Sequence, residues 1–586
     1  MRKTKIVATL GPATNEVDII KKLIEAGLNA ARFNFSHGSY EEHGQRMDNF
    51  IQAREEMHAY VPMMLDTKGP EIRTGDFADG AVNVTAGQKF TITTDDVIGD
   101  ETKVSVTYKG ITNDVNIGST ILIDDGLIEL KVEEINGSNI ICTVMNGGEI
   151  GSKKGVNVPD VHINLPALTQ KDIDDIKFGI KKGVDYIAAS FIRSASDVLE
   201  IRKVLEENGG ADIKIISKIE SRDGVENIDE ILEVSDGVMV ARGDLGVEIP
   251  FEEVPIIQKM LIKKCREKSK TVITATQMLD SMTKNPRPTR AEVSDVANAI
   301  YDRTDAVMLS GESAKGKYPV EAIMAMDKIA REVESSFDYI KKFDETGTVR
   351  LTNIANAVSH SACTTAHDLG AKLIAVVSMS GRAARMVAKY RPACPILACT
   401  PNERTLRQMN LIWGAIPMPV SYRTENFHQL FEDVCEASCE AGLTQIGDIV
   451  VFTGGTPLGT MGATNTLKVG VVGSKLIEAN SRNTDADDVT ARTLIVNTSD
   501  NLDLKFRKGM VMVTADASTE LVPYVKKSAA LIVGNSKNDD FGNLIKAAKE
   551  ANIPVIVSDK NVEETIPDNI LVKVDSSKGI VYNCNN

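Results

Sequence analysis

Positive charge is what this chain has too little of to make nucleic acid or an anionic membrane its main partner. Its 67 Lys and Arg face 82 Asp and Glu, a formal net charge of -15, with a pI near 5.2. Long apolar runs are missing too. The start, Met1-Arg-Lys-Thr-Lys5, is basic, but the apolar stretch behind it soon meets Gly11-Pro12. No signal peptide is expected from that pattern, and no segment approaches membrane-spanning length. Paired cysteine motifs are also absent among the eight cysteines. Cys394/Cys399 and Cys435/Cys439 come closest, and neither repeats as a zinc ligand set would. The expectation is a cytoplasmic protein with reduced, buried thiols.

What the chain does have is length and an ordinary globular balance, 586 residues with 42% hydrophobic and 25% charged. Three or four domains are expected. Short β-branched runs at 6–10, 30–35, 62–66, 186–191, 213–219, 237–241, 271–275 and 306–309 read as strands. Amphipathic helical patterns follow at 15–26, 41–57, 171–181, 196–207, 227–234, 255–268, 290–302 and 320–333. Thr169 with Asp172 three residues on predicts an N-cap. Eight strand-then-helix units predict an α/β protein built on a (β/α)₈ barrel, with its chemistry on the loops after the strand C-termini.

The count closes only if residues 74–165 are set aside. There, short alternating segments at 89–93, 119–123 and 128–132, with Asp125-Gly126 and Asn136-Gly137 as turn signals, predict an inserted β lid. The expected division is a barrel over 1–73 and 166–345, the lid over 74–165, an α/β regulatory domain over 346–477, and a linker plus a small domain over 478–586. The polar stretch 478–488 is the predicted linker.

Polar residues interrupt the ends of the barrel strands. Arg32, Asn34 and Ser36 share one face because strand side chains alternate. Asp66-Thr67-Lys68 ends the third strand. Lys218 and Glu220 share a face of the fifth, and the sixth ends in Arg242-Gly243-Asp244. Two carboxylates from neighbouring strand ends suit Mg²⁺, which takes few carboxylates together with phosphate and water. A lysine beside them suits an oxygen whose charge grows during reaction, the lesser alternative for this strand alone being a structural Lys–Glu ion pair. Thr276 and Ser310 place hydroxyls at the seventh and eighth strand ends. Gly311-Glu-Ser-Ala-Lys-Gly-Lys317 fails as a phosphate-binding P-loop because Tyr318 stands where Ser or Thr is needed. Ser378-Met-Ser380-Gly381-Arg382 lies between a strand and a helix, as an anion site or a capped turn would.

These segments resemble the pyruvate kinase family over almost the whole chain. The resemblance is carried by Lys3-Thr-Lys-Ile-Val7 with Gly11-Pro12, Arg32-Phe-Asn-Phe-Ser-His-Gly38, Leu65-Asp-Thr-Lys-Gly-Pro-Glu-Ile-Arg73, Ile123-Asp-Asp-Gly126 and Lys154-Gly-Val-Asn157. It continues through Ser217-Lys-Ile-Glu220, Met239-Val-Ala-Arg-Gly-Asp-Leu-Gly246, Ala275-Thr-Gln-Met-Leu279 and Asn285-Pro-Arg-Pro-Thr-Arg-Ala-Glu292. It implies phosphoryl transfer from phosphoenolpyruvate to ADP, giving ATP and pyruvate. Arg32 would bind the substrate phosphate, Lys218 would serve the transition state, and Gly243, Asp244 and Thr276 would surround the substrate carboxylate. Glu220 and Asp244 would hold Mg²⁺ or Mn²⁺; Asn34, Ser36, Asp66 and the Thr67 carbonyl would hold K⁺, with Glu71 marking the K⁺-requiring branch. Arg73, Lys154, Asn34 and His37 would lie at the nucleotide. The resemblance further implies a homotetramer with a phosphorylated effector at Ser378, Ser380, Gly381 and Arg382. Residues beyond about 490 resemble the swivelling domain of phosphoenolpyruvate-utilising enzymes. They lack its phosphorylated histidine, since the last histidine of the chain is His428.

Two other readings use the same residues. A Mg²⁺-dependent aldolase or lyase acting on a pyruvate-like enolate would need the same lysine and carboxylates, but the β lid and Lys154 favour a nucleotide. A non-catalytic metabolite sensor is disfavoured because Lys218, Glu220, Asp244 and Thr276 are all present.

Overall fold

Eight parallel strands close on themselves: β1 (Lys5–Thr9), β2 (Ala30–Asn34), β3 (Met63–Asp66), β4 (Tyr186–Ala189), β5 (Lys214–Ile219), β6 (Gly237–Ala241), β7 (Thr271–Ala275) and β8 (Ala306–Leu309). They are read from a computed structural model that describes residues 1–346, 353–421, 427–455, 464–479, 481–482, 486–496, 501–534 and 540–583. Every barrel strand starts and ends within two residues of its predicted bounds. The described chain falls into two compact units. One holds Met1–Cys363, Val376–Ser421 and Thr453–Thr466, and the other Thr364–Ala375, Tyr422–Phe452 and Leu467–Asn586.

Alternation along the barrel strands sorts their side chains into two cores. Ile6, Ala8, Phe33, Leu65, Ile187, Ile215, Val240 and Val307 belong to the larger core, together with apolar residues of the surrounding helices. Val7, Ala30, Met64, Ala188, Ile216, Met239, Ile273 and Met308 form a second, smaller core. Leu411, from the segment after helix Glu403–Met409, joins that second core. Helix starts follow local chemistry. Ser39, Thr169 and Thr289 each accept from the backbone N–H three residues on, and Glu42, Asp172 and Glu292 bond back to complete the capping box.

The insertion after β3 is a seven-stranded sheet plus a two-stranded pair around its own apolar core. The backbone turns between Ile123 and Ile128 through Asp124, Asp125 and Gly126, all at positive φ. Four side-chain ties connect the lid and its hinge to barrel loops. Asn157 donates to Glu248, His162 contacts Asp223 at 2.6 Å, Arg222 pairs with Asp160, and Arg193 donates to the carbonyls of Ile163 and Leu165.

In the second unit, eight strands form one sheet: Ser474–Glu478, Ile580–Asn583, Leu571–Asp575, Val489–Ile495, Val511–Thr514, Ala530–Gly534, Val555–Ser558 and Ser481–Arg482, in that order. Alternation divides its apolar residues into two cores, one with Met512, Leu531 and Val533, the other with Val511, Val513 and Ile532. The predicted linker needs correction here. Glu478 ends a strand paired with Ile580, and Ser481–Arg482 pairs with residues 556 and 557. Polar composition hid these edge strands, whose backbone pairs with distant sequence. Residues 480 and 483–485 of that stretch lie outside the described residues, as do 535–539 of the segment lacking the histidine.

Candidate active site

The strand alternation that builds the small core brings polar groups to the barrel's C-terminal mouth. Two residues beyond Val7, Ala30, Met64, Ala188, Ile216 and Met308 stand Thr9, Arg32, Asp66, Ser190, Lys218 and Ser310. Register brings several of them side by side: Thr9 is paired with Arg32, and Asn34 with Asp66. Arg32 accordingly donates through Nε to Asp66 Oδ2 at 2.6 Å and through Nη1 to Thr9 Oγ1 at 2.9 Å.

Lys218 occupies the centre of this cluster. Its Nζ donates to Ser190 Oγ at 2.7 Å and lies 3.1 Å from Asp66 Oδ1 and 2.9 Å from Glu220 Oε1. Burial opposes its charge, but Asp66 and Glu220 outweigh that and hold the ammonium well above its ordinary pKa. Burial likewise opposes ionisation of Asp66, and Arg32 and Lys218 overcome it, so this carboxylate titrates below the ordinary value. Glu220 differs. Burial, with the nearby Asp244 carboxylate adding to it, raises its pKa despite Lys218. Positive charge is also short around it: Arg32 and Lys218 face Asp66, Glu220 and Asp244. A cation between Glu220 and Asp244 would relieve that shortage, so the donor set fits Mg²⁺. No group of three or more His, Cys, Asp or Glu suited to a metal occurs among the described residues. The two carboxylates would therefore need substrate and water oxygens to complete an octahedron.

The neighbouring loops are held in strained, well-tied conformations. Phe191 sits at φ 54°, and its N–H donates to Glu220 Oε2 at 2.6 Å. Thr276 sits at φ 68°; its hydroxyl accepts from the Gly243 N–H at 2.8 Å and donates to the Ala275 carbonyl at 2.6 Å. Arg242 braces this turn through a two-point bond to Asp295 and a bond to the Thr276 carbonyl. Asp244 is exposed in helix Arg242–Glu248. The Ser310 N–H donates to Glu312 Oε2 at 2.8 Å.

At the predicted K⁺ position the polar atoms are oxygens. Asn34 Oδ1 accepts from the Ser36 N–H at 3.1 Å, and the Thr67 carbonyl accepts from Ser190 Oγ at 2.7 Å. An all-oxygen set of this kind fits a hard monovalent cation. Of the predicted nucleotide residues, His37, Arg73 and Lys154 line a cleft of about 650 Å³ together with Asp124, Asp244 and Glu248, while Asn34 is not part of its lining. Arg73 and Lys154 each have a carboxylate partner: Arg73 bonds Glu71 at 2.6 Å and Lys154 bonds Asp124 at 2.9 Å. At the separate 378–382 loop, the Ser378 N–H donates to the Cys399 carbonyl and Thr405 Oγ1 donates to the Met379 carbonyl. Gly381 starts helix Arg382–Ala388 at φ 72° with no side-chain cap, so the capped-turn reading of Ser378 and Ser380 is not realised.

Sequence reasoning missed Ser190, Thr9 and the Phe191 N–H. Ser190 had a legible signal, because it stands at the polar end of an apolar strand, as Asp66 and Lys218 do near the ends of theirs. The amide of Phe191 had none, since every residue has one.

A family model described as "Pyruvate kinase, barrel domain" matches residues 1–323, and one described as "Pyruvate kinase, alpha/beta domain" matches residues 356–470. The chain is 46% identical over 584 residues to a pyruvate kinase of Staphylococcus epidermidis, covering 99% of each chain. It is also 46% identical over 583 residues to one of Geobacillus stearothermophilus, covering 99% of this chain and 98% of the relative. A crystal structure of a pyruvate kinase from Cryptosporidium parvum superposes with a TM-score of 0.77 at 39% identity, over 80% of this chain and 96% of that one. Matches across both the barrel and the α/β region, added to a barrel mouth furnished with Arg32, Asp66, Lys218 and Glu220, make this chain a member of the pyruvate kinase family.

Proposed function

We propose that the cluster around Lys218 is where the enzyme transfers the phosphoryl group of phosphoenolpyruvate to ADP. The observation that carries this assignment is a buried lysine held charged between Asp66 and Glu220, beside an arginine and a third carboxylate. Arg32 takes the substrate phosphate, and its bonds to Asp66 and Thr9 fix its approach. The Gly243 N–H, Asp244 and Thr276 bound the space for the substrate carboxylate. Arg73 and Lys154 exchange Glu71 and Asp124 for nucleotide phosphates, with Asn34 and His37 in the adjoining segment. When bound, Mg²⁺ or Mn²⁺ at Glu220 and Asp244, and K⁺ at Asn34, Ser36, Asp66 and the Thr67 carbonyl, supply the positive charge that the phosphates require.

The bond from phosphorus to the enol oxygen breaks while one to an ADP oxygen forms. Lys218 balances the charge that grows on the transferring group and on the enolate left behind. The enolate carbon then takes a proton from a water ordered by Thr276 and Ser310, giving pyruvate. This needs alignment and charge neutralisation more than covalent help.

We place the enzyme in the cytoplasm as a homotetramer whose 378–382 loop receives a phosphorylated effector, and divide the chain into barrel, lid, regulatory and C-terminal domains at the bounds given above. Among the described residues no helix is long and apolar enough to cross a membrane. The test of the reaction is pyruvate formation from phosphoenolpyruvate with Mg²⁺ and K⁺, with and without ADP. Strict dependence on ADP is expected. Pyruvate release without ADP would favour a lyase instead.

A further inference from the structure

At the other end of the barrel, by the N-terminus of β7, a group of basic side chains has no counterpart in the mechanism. Helix Val254–Glu267 contributes Arg266, the loop after it Lys270, helix Arg382–Ala388 Arg385, and the following turn Arg391. Together with Thr271 and Asp305 they line a narrow cleft with about 10 Å³ of free space. We propose that this cleft is a second anion site, distinct from the barrel mouth, where Arg266, Lys270, Arg385 and Arg391 grip a phosphate group, free or carried by a monoester.

Charge balance is the first argument. Asp305 is the one carboxylate lining the cleft, and both its oxygens are engaged: Oδ1 accepts from Arg391 Nη2 at 2.7 Å, and Oδ2 from the Val272 N–H at 2.8 Å. The side chains of Arg266 and Arg385 make no hydrogen bond or ion pair with the described residues, and Lys270 Nζ reaches only the Ser235 carbonyl, at 2.6 Å. Burial first, then Arg391 and Arg303, push the Arg266 guanidinium down to about 10, and Glu267 and Asp305 offset this only in part.

An unsatisfied donor is the second argument. Arg391 is 5% exposed, and its terminal nitrogens bond the Ala388 and Arg303 carbonyls, yet its Nε is buried with no acceptor. Buried donors are nearly always satisfied, and one left without an acceptor is costly. A phosphate offers several acceptor oxygens and two negative charges, which matches guanidinium forks better than a single carboxylate does. With about 10 Å³ of free space, the cleft admits the anion only once the Arg266 and Arg385 side chains swing outward, and it would then lie between them and the Arg391 Nε.

The test is calorimetric titration of the full-length protein at fixed ionic strength, with inorganic phosphate and adenosine monophosphate as separate probes. Arg32 also handles phosphate, so the readout is the difference between wild type and Arg266→Gln/Arg385→Gln. The double variant should lose one binding event per subunit, or bind at least tenfold more weakly there, while keeping its turnover at saturating substrate. Lys203→Gln, a charge removed from an exposed helix face, should leave binding unchanged. If this double-variant-sensitive event is stronger with the nucleotide, a monoester is the ligand; if inorganic phosphate alone produces it, the free anion is. If the double variant does not fold, Arg266→Gln alone carries the same expectation. Identical isotherms for wild type and variant would overturn the proposal.

Discussion

Lys218 shows how much a single residue depends on its setting. Free in water, its ammonium would be one charge among 67; in the barrel it is buried, held between two carboxylates and oriented by Ser190. A donor of this kind acts on charge that appears in the transition state rather than on the bound ground state. Lys218→Met should therefore lower turnover on the order of 10²-fold or more, with phosphoenolpyruvate and Mg²⁺ affinities largely kept. Steady-state kinetics beside a direct binding titration check this, and near-normal turnover would remove Lys218 from its role. Lys5 is a different buried lysine, bonded to the Ala415 carbonyl at 2.6 Å. Burial and then Arg2, against Glu334, push its amine down to about 7 from an ordinary 10.5. Between those two values the unfolded chain binds more protons at this site than the folded one. Its contribution thus makes stability rise as pH goes from about 7 to 10.5, and the cost of burying the charged amine is greatest below 7. Lys5→Met should flatten the rise of melting temperature with pH across that window; an unchanged slope would contradict this account.

At the scale of elements, the ends of β2 and β3 offer Asn34, Ser36, Asp66 and the Thr67 carbonyl as a set of oxygens, with Glu71 nearby at a position where a lysine would bring its own charge. Activity in choline or tetramethylammonium salts should be low and be restored by K⁺; indifference to K⁺ would refute that site. The 378–382 loop gives a second prediction. Fructose bisphosphate, ribose phosphate or AMP, tested at subsaturating substrate, should include one that shifts the affinity for phosphoenolpyruvate, and Ser380→Asp should abolish the shift. Such an effect requires that the ligand bind two states unequally. Absence of any response, or a response unaffected by Ser380→Asp, counts against the loop. The barrel strands were readable because alternation and β-branched runs are local signals, and Thr169 was readable as a cap because its partner Asp172 is three residues away. The 478–488 stretch misled because an edge strand announces itself through its pairing partner, here residues 556, 557 and 580, rather than through its own polar sequence.

For the whole molecule, the C-terminal sheet poses the question of what an added domain does without the histidine its resemblance would lead one to expect. Since Ser474–Glu478 is paired within that sheet and Ile477 is buried, a clean truncation must end before residue 474. A chain stopped at Val472 should keep its turnover, with melting temperature unchanged or lowered, because no proposed catalytic residue lies beyond that point. Loss of turnover in a truncated protein that remains folded and correctly assembled would assign the domain a catalytic part. The sequence by itself determined the barrel, the inserted lid, the family resemblance and the order in which Arg32, Asp66, Lys218, Glu220, Asp244 and Thr276 occur, because strand period and motif spacing are local properties. Tertiary structure alone decided that Ser190 bridges Lys218 and Thr67, that Arg73 and Lys154 start out paired to Glu71 and Asp124, and that Arg266, Arg385 and Arg391 share a cleft poor in counter-charge. Apart from Arg73 with Glu71 and Arg385 with Arg391, which are near in sequence, those facts join residues tens to more than a hundred positions apart, and which of them meet is set by barrel closure and by the packing of loops and helices around it.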